Sequence, residues 1–176
     1  MPEFRSLPFV VVALLVAGRL AAQTPDLGMP IEPEDIDEWD IAILPDGSGL
    51  PPGSGTAAEG APIFAAKCAL CHGVNLEGGI SLALVGGEPL TDGIDTVKTI
   101  SNFWPVATTL FDYTRRAMPW LTPRTLTDDE VYALTAYLLA ENHIINEDEE
   151  MNAESLPRVE MPNRDGFIVR FPDLIP

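Results

Sequence analysis

The sequence predicts an all-α domain of about four or five helices held between two extended arms, and three observations carry that prediction. Gly60, Phe64 and Cys68 recur at i, i+4 and i+8, the spacing of one helix face. Thr127-Asp128-Asp129-Glu130 has the form of a capping box, with acidic side chains at the positive end of the helix dipole, and Val131, Leu134 and Leu138 follow it as an apolar stripe. The 17 Pro and 14 Gly among 176 residues imply much irregular chain, and they place the compact part between residues 57 and 142.

Taken in order, residues 1–22 have a weakly basic head and an apolar run from Leu7 to Gly18, too short to span a bilayer comfortably. They read as a secretory signal with cleavage near Ala21-Ala22. Arg19 and Leu20 stand where small residues are preferred, so an uncleaved anchor is the alternative, whereas a lipoprotein anchor is excluded because no cysteine follows the run. Residues 23–56 form a Pro/Gly-rich arm, although Trp39, Ile41 and Leu44 are more apolar than a tether requires. Pro62 is best tolerated in a first helical turn, so the first core helix is expected to start close to Gly60 or Ala61. Residues 73–95 read as a glycine-broken loop and residues 96–102 as a short helix. Pro105 opens another helix to Arg115, with Val106, Leu110 and Phe111 on its apolar side. The capped helix runs to about Glu141. Residues 143–176 read as an extended surface tail.

The chemistry is concentrated in Cys68-Ala69-Leu70-Cys71-His72. C-x-x-C-H places two thiols on one helical turn, where both can add to the vinyl groups of one haem and leave the next imidazole beneath the iron. These are the only two cysteines of the chain. A thioredoxin-like pair would want a βαβ context, a structural disulfide ordinarily closes a longer loop, and zinc would need two further ligands at matching spacing. The cofactor expected is therefore one covalent haem c, with His72 as one axial ligand. Met118-Pro119, 46 residues beyond His72, offers a soft thioether for the other haem face, in a loop that Pro119 stiffens. Met29 lies in the arm and Met151 and Met161 in the tail; His143, the other histidine, is the alternative ligand, but it sits just past the last helix, where it is expected to cap that helix or face water.

Net charge is −17. Acidic density at residues 32–40 and 147–150 repels nucleic acid and anionic membranes and would speed encounter with a basic protein partner. Both axial positions would be filled, and no paired carboxylates or Ser/His constellation suggests bond-making chemistry, so no catalytic residue is expected.

Gly60-x-x-x-Phe64-x-x-x-Cys68-x-x-Cys71-His72-Gly73, Met118-Pro119 and the closing capped helix together resemble class I c-type cytochromes. A narrower resemblance takes in Trp39-Asp40-Ile41, Leu44-Pro45-Asp46-Gly47, Trp104-Pro105, Arg115-Arg116-Ala117-Met118-Pro119-Trp120 and Met161-Pro162-Asn163-Arg164-Asp165-Gly166-Phe167. It is to the cytochrome subunits of periplasmic molybdenum sulfite dehydrogenases and of the related sulfane dehydrogenase. The sulfane dehydrogenase cytochromes carry a second haem motif that this chain lacks, so a monohaem sulfite dehydrogenase subunit fits better. The resemblance implies a class I cytochrome c-like core around one haem, with Cys68 and Cys71 as thioether sites and His72 and Met118 as axial ligands. It implies electron transfer in the periplasm from a molybdenum-containing catalytic subunit to a downstream cytochrome c or terminal oxidase, with membrane contact only if the N-terminal segment stays uncleaved. A free electron shuttle, a subunit of another dehydrogenase, and a haem sensor are the alternatives. Arg115 and Arg116 are either propionate partners or solvated surface residues.

Overall fold

The computed structural model describes residues 28–37, 39–90 and 96–168. The signal segment expected over residues 1–22 lies outside them. Among the described residues no helix is long and apolar enough to cross a membrane. The chain divides into two units at Asp40/Ile41. The first carries one short helix, α1 (Pro33–Asp37). The second, from Ile41 onward, carries helices α2 (Ala57–Lys67), α3 (Ala69–His72), α4 (Ile100–Phe103), α5 (Ala107–Ala117) and α6 (Asp128–Glu141). Two short strands, β1 (Ser54–Gly55) and β2 (Met151–Asn152), pair antiparallel, with Ser54 opposite Asn152 and Gly55 opposite Met151. The architecture is the helix-dominated one expected.

Helix α2 begins earlier than Pro62 suggests. Thr56 is its N-cap: the Thr56 side chain accepts from the Glu59 N–H, and Glu59 Oε2 accepts from the Thr56 N–H at 2.8 Å. Pro62 therefore sits inside the helix, where its ring denies the Ala58 carbonyl a partner. That loss is tolerable because Ala58 and Pro62 are both on the exposed face, where water reaches the carbonyl. The opposite face, Ala57, Gly60 and Phe64, is buried against α6. The two helices approach so closely at Gly60 that a Cβ there would collide with the Ala133 carbonyl and the Tyr137 Cβ.

Helix α6 starts at its Thr127 capping box and is buried along most of its length, with Val131, Leu134 and Leu138 in the core. Leu110 and Phe111 of α5 join that core, and Phe111 meets Tyr132 at a ring-centroid distance of 4.4 Å. Pro105 precedes α5 instead of occupying its first turn, since Val106, in extended conformation, is the N-cap.

The arms differ from their expected roles. Met151, Leu156 and Met161 are 1%, 0% and 2% exposed and belong to the hydrophobic core, so residues 144–163 form a strap and not a surface tail. The strap is anchored by the β1–β2 pair and by Asn163 Nδ2, which donates to the Phe103 carbonyl at 2.8 Å. On the other side, Ile43 and Leu50 pack half-buried against the same core, and the Tyr132 hydroxyl donates to the Pro51 carbonyl at 2.8 Å. A long uncharged run is unnecessary for such seating; one apolar side chain every five residues suffices when each finds a hole between helices.

Candidate functional site

The C-x-x-C-H residues sit where α2 gives way to α3. Cys68 caps the end of α2, its N–H bonded to the Phe64 carbonyl, and its own carbonyl accepts from Cys71 and His72 N–H at 3.1 Å, closing the single turn of α3. Gly73, at φ +81°, ends that turn in a conformation that disfavours a side chain. Both thiols are free and half-buried, and burial pushes the Cys68 thiol up to about 11.

The loop after Gly73 folds back over this turn. Gly78 N–H donates to the His72 carbonyl at 2.8 Å, Ser81 N–H to the Cys71 carbonyl at 2.9 Å, and Leu84 N–H to the carbonyl of buried Leu76 at 2.8 Å. The result places the Leu82 carbonyl 3.0 Å from His72 Nδ1. In the neutral tautomer that donates there, Nδ1–H orients the ring and leaves the Nε2 lone pair free for a metal. Further along, Asn102 holds the loop together: its Oδ1 accepts from the Thr99 N–H at 2.7 Å, and its Nδ2 donates to the Glu88 and Val97 carbonyls at 2.9 Å.

His72 and Met118 line one cavity of about 580 Å³. Its walls are the 79–84 loop, Lys98 to Ile100, Phe103 and Trp104 around α4, Tyr113 of α5, and Trp120. Met118 follows the last turn of α5, with its N–H bonded to the Thr114 carbonyl at 3.1 Å, and the turn after it is closed by Thr122 N–H on the Pro119 carbonyl at 2.9 Å. The other described methionines are elsewhere: Met151 and Met161 in the core, and Met29, 87% exposed, in the N-terminal unit. His143 is exposed, has a positive φ of 57° and does not line the cavity. Among the described residues no group of three or more His, Cys, Asp and Glu side chains is gathered as a metal-ion site.

An imidazole and a thioether on one largely apolar cavity, with two thiols beside the imidazole, are a donor set that fits a c-type haem. The volume falls in the range of pre-formed cofactor pockets. Arg115 and Arg116 stand outside this cavity. Arg115 Nε donates to Asp128 Oδ1 at 2.9 Å, and Arg116 pairs with Asp112. Sequence reasoning did not single out Leu82, Tyr113 or Asn102. Leu82 acts through its backbone, which has no side-chain signature. Asn102 lies three residues after Thr99, a capping pattern that was there to be read.

The family model for cytochrome c matches residues 57–141. The chain belongs to the cytochrome c family, whose domain implies covalently bound haem c and a role in electron transfer. More particularly, it is similar to a chain in the crystal structure of the sulfane dehydrogenase SoxCD from Paracoccus pantotrophus, at 41% identity and a TM-score of 0.74, over 86% of this chain and 75% of that one. Comparison with curated proteins returns no match.

Proposed function

We propose that the protein is a periplasmic monohaem cytochrome that accepts electrons one at a time from the catalytic subunit of a molybdenum sulfite dehydrogenase and passes them to a downstream cytochrome c or terminal oxidase. The observation that carries the electron-transfer role is the meeting of His72 and Met118 on one cavity beside the two free thiols. The sulfur assignment draws its support from the similarity to the sulfane dehydrogenase SoxCD, together with the single C-x-x-C-H motif.

Haem, when bound, supplies one-electron chemistry at iron. The chain's own residues do the rest. Cys68 and Cys71 would hold the group covalently, and the Leu82 carbonyl aims the His72 ring through Nδ1. Met118, on the same cavity, would hold the iron with His72, and its soft thioether would favour the ferrous state and raise the potential relative to two imidazoles. Leu84, Ile100 and Phe103 keep the cavity wall apolar, while exposed Trp120 brings that wall to the surface. With His72 and Met118 both holding the iron, substrate would find no free position there, and the sulfur chemistry would belong to the partner. Residues 1–22 serve export, in keeping with attachment of c-type haem outside the cytoplasm.

Stopped-flow absorbance tests the assignment. Oxidised cytochrome mixed with sulfite and the molybdenum subunit should show rapid growth of the ferrous α-band, and none without that subunit. If sulfite and the subunit leave the haem oxidised while another donor enzyme reduces it, the electron-transfer role stands and the sulfite assignment falls.

A further inference from the structure

The corner between the end of α5 and the start of α6 holds a second cavity, of about 390 Å³, and its lining shares no residue with the first. Arg115 and Arg116 from the last turn of α5 and Arg124 from the connecting loop meet there, beside Thr127 and Asp128 at the head of α6. Three of the chain's ten Lys and Arg side chains thus converge on one concavity of a molecule whose net charge is −17.

Two of the three are partly engaged. Asp128 takes the Nε of Arg115, and Asp112, from the α5 turn before, takes one terminal nitrogen of Arg116. A guanidinium presents five N–H donors in one plane, so each keeps donors to spare. Arg124 makes no hydrogen bond or ion pair with any described residue, and its backbone is held at φ +62°. With one carboxylate compensating each of the other two, Arg124 carries the unbalanced charge. Thr127 Oγ1 accepts from the Glu130 N–H, which leaves its hydroxyl hydrogen available as a further donor in the wall.

We infer that this cavity is an oxyanion site: it takes a carboxylate or a tetrahedral oxyanion, gripped by the fork of Arg124 together with the spare donors of Arg115 and Arg116. This goes beyond the proposed electron-transfer role and does not depend on it. Two sources carry that chemistry, a free tetrahedral anion and the carboxylate side chain of a docked protein, and the two arms of one experiment separate them.

Isothermal titration calorimetry on the haem-loaded full chain, with sodium sulfate in one arm and sodium acetate in the other and ionic strength held constant with sodium chloride, reads the site directly. Arg124→Gln removes the unbalanced charge, Arg124→Lys keeps it without the fork, and Arg158→Gln, from the exposed pair with Glu154, controls for general loss of positive charge. Wild type and Arg158→Gln should give saturable binding. Arg124→Gln should bind about tenfold more weakly or less, as loss of one charge-assisted hydrogen bond implies, with Arg124→Lys between them. Saturation by sulfate assigns the free anion, and saturation by acetate alone assigns a carboxylate. Arg124 has no described partner to lose, so an unchanged absorption spectrum and thermal midpoint accompany the weakened binding. Absence of saturable binding by either anion in the wild type, or equal weakening in Arg124→Gln and Arg158→Gln, overturns the inference.

Discussion

Met118 is one of four described methionines, and its surroundings separate it from the rest. Met118→Ala should open the iron of the haem-loaded protein to carbon monoxide in the ferrous state and lower its midpoint potential, both read by spectroelectrochemistry. Met161→Ala should leave the spectrum and the carbon monoxide response unchanged but cost about 2–5 kcal/mol in chemical denaturation, because it empties a core site. If the two variants exchanged these phenotypes, the axial assignment would fall. Gly60 is decided by space: Gly60→Ala drives a methyl group into the α6 backbone at Ala133, and a loss of about 1–3 kcal/mol is expected from the same denaturation curves.

Helix α6 combines local and long-range stabilisation at its first turn. Thr127→Ala removes the acceptor of the Glu130 N–H and should cost about 1 kcal/mol of unfolding free energy. Glu130 ties the turn to α2, for Lys67 Nζ lies 2.6 Å from Glu130 Oε1. The Lys67 hydrogen bond first, and the Thr127 N–H second, hold its carboxyl below the ordinary 4.5. A carboxyl lowered in the folded state contributes stability above its unfolded value and loses it as pH falls through the lowered one. The stability gap between wild type and Glu130→Gln should therefore be full at neutral pH and shrink below about pH 4.5. A gap that stayed constant from pH 7 to pH 3 in thermal melts would contradict this reading.

At the scale of the molecule the net charge of −17 dominates encounter. Electron exchange with a basic redox protein should slow as salt is raised through about 0.1 M, where screening falls to about 10 Å, whereas exchange with a neutral small-molecule reductant should not. Stopped-flow rates over a salt series check both limbs. The unit beginning at Ile41 holds the hydrophobic core and the cavity within itself. A haem-loaded chain lacking residues 28–40 should therefore keep the absorption spectrum and thermal midpoint of the intact one, a result that circular dichroism and visible absorbance would show together.

By itself the sequence determined what is local. C-x-x-C-H confines two thiols and an imidazole to one turn whatever surrounds them, and Thr127 to Glu130 caps a helix through contacts three residues apart. Thr56 and Glu59 carried the same signature, but the weight placed on Pro62 hid it, because a proline's cost depends on whether the orphaned carbonyl meets water. Tertiary structure alone decided the strap and the cavities. Met151, Leu156 and Met161 are spaced by five, which matches neither the helical nor the strand period, so no periodicity announces that all three are buried. The Leu82 carbonyl that aims His72 is a backbone atom any residue would supply, and the three arginines around the smaller cavity meet where the loop carrying Arg124 lies beside the last turn of α5. Contacts of that kind depend on where distant segments come to rest, and the free energy that brings them together is spread over the whole core rather than written in any one stretch of chain.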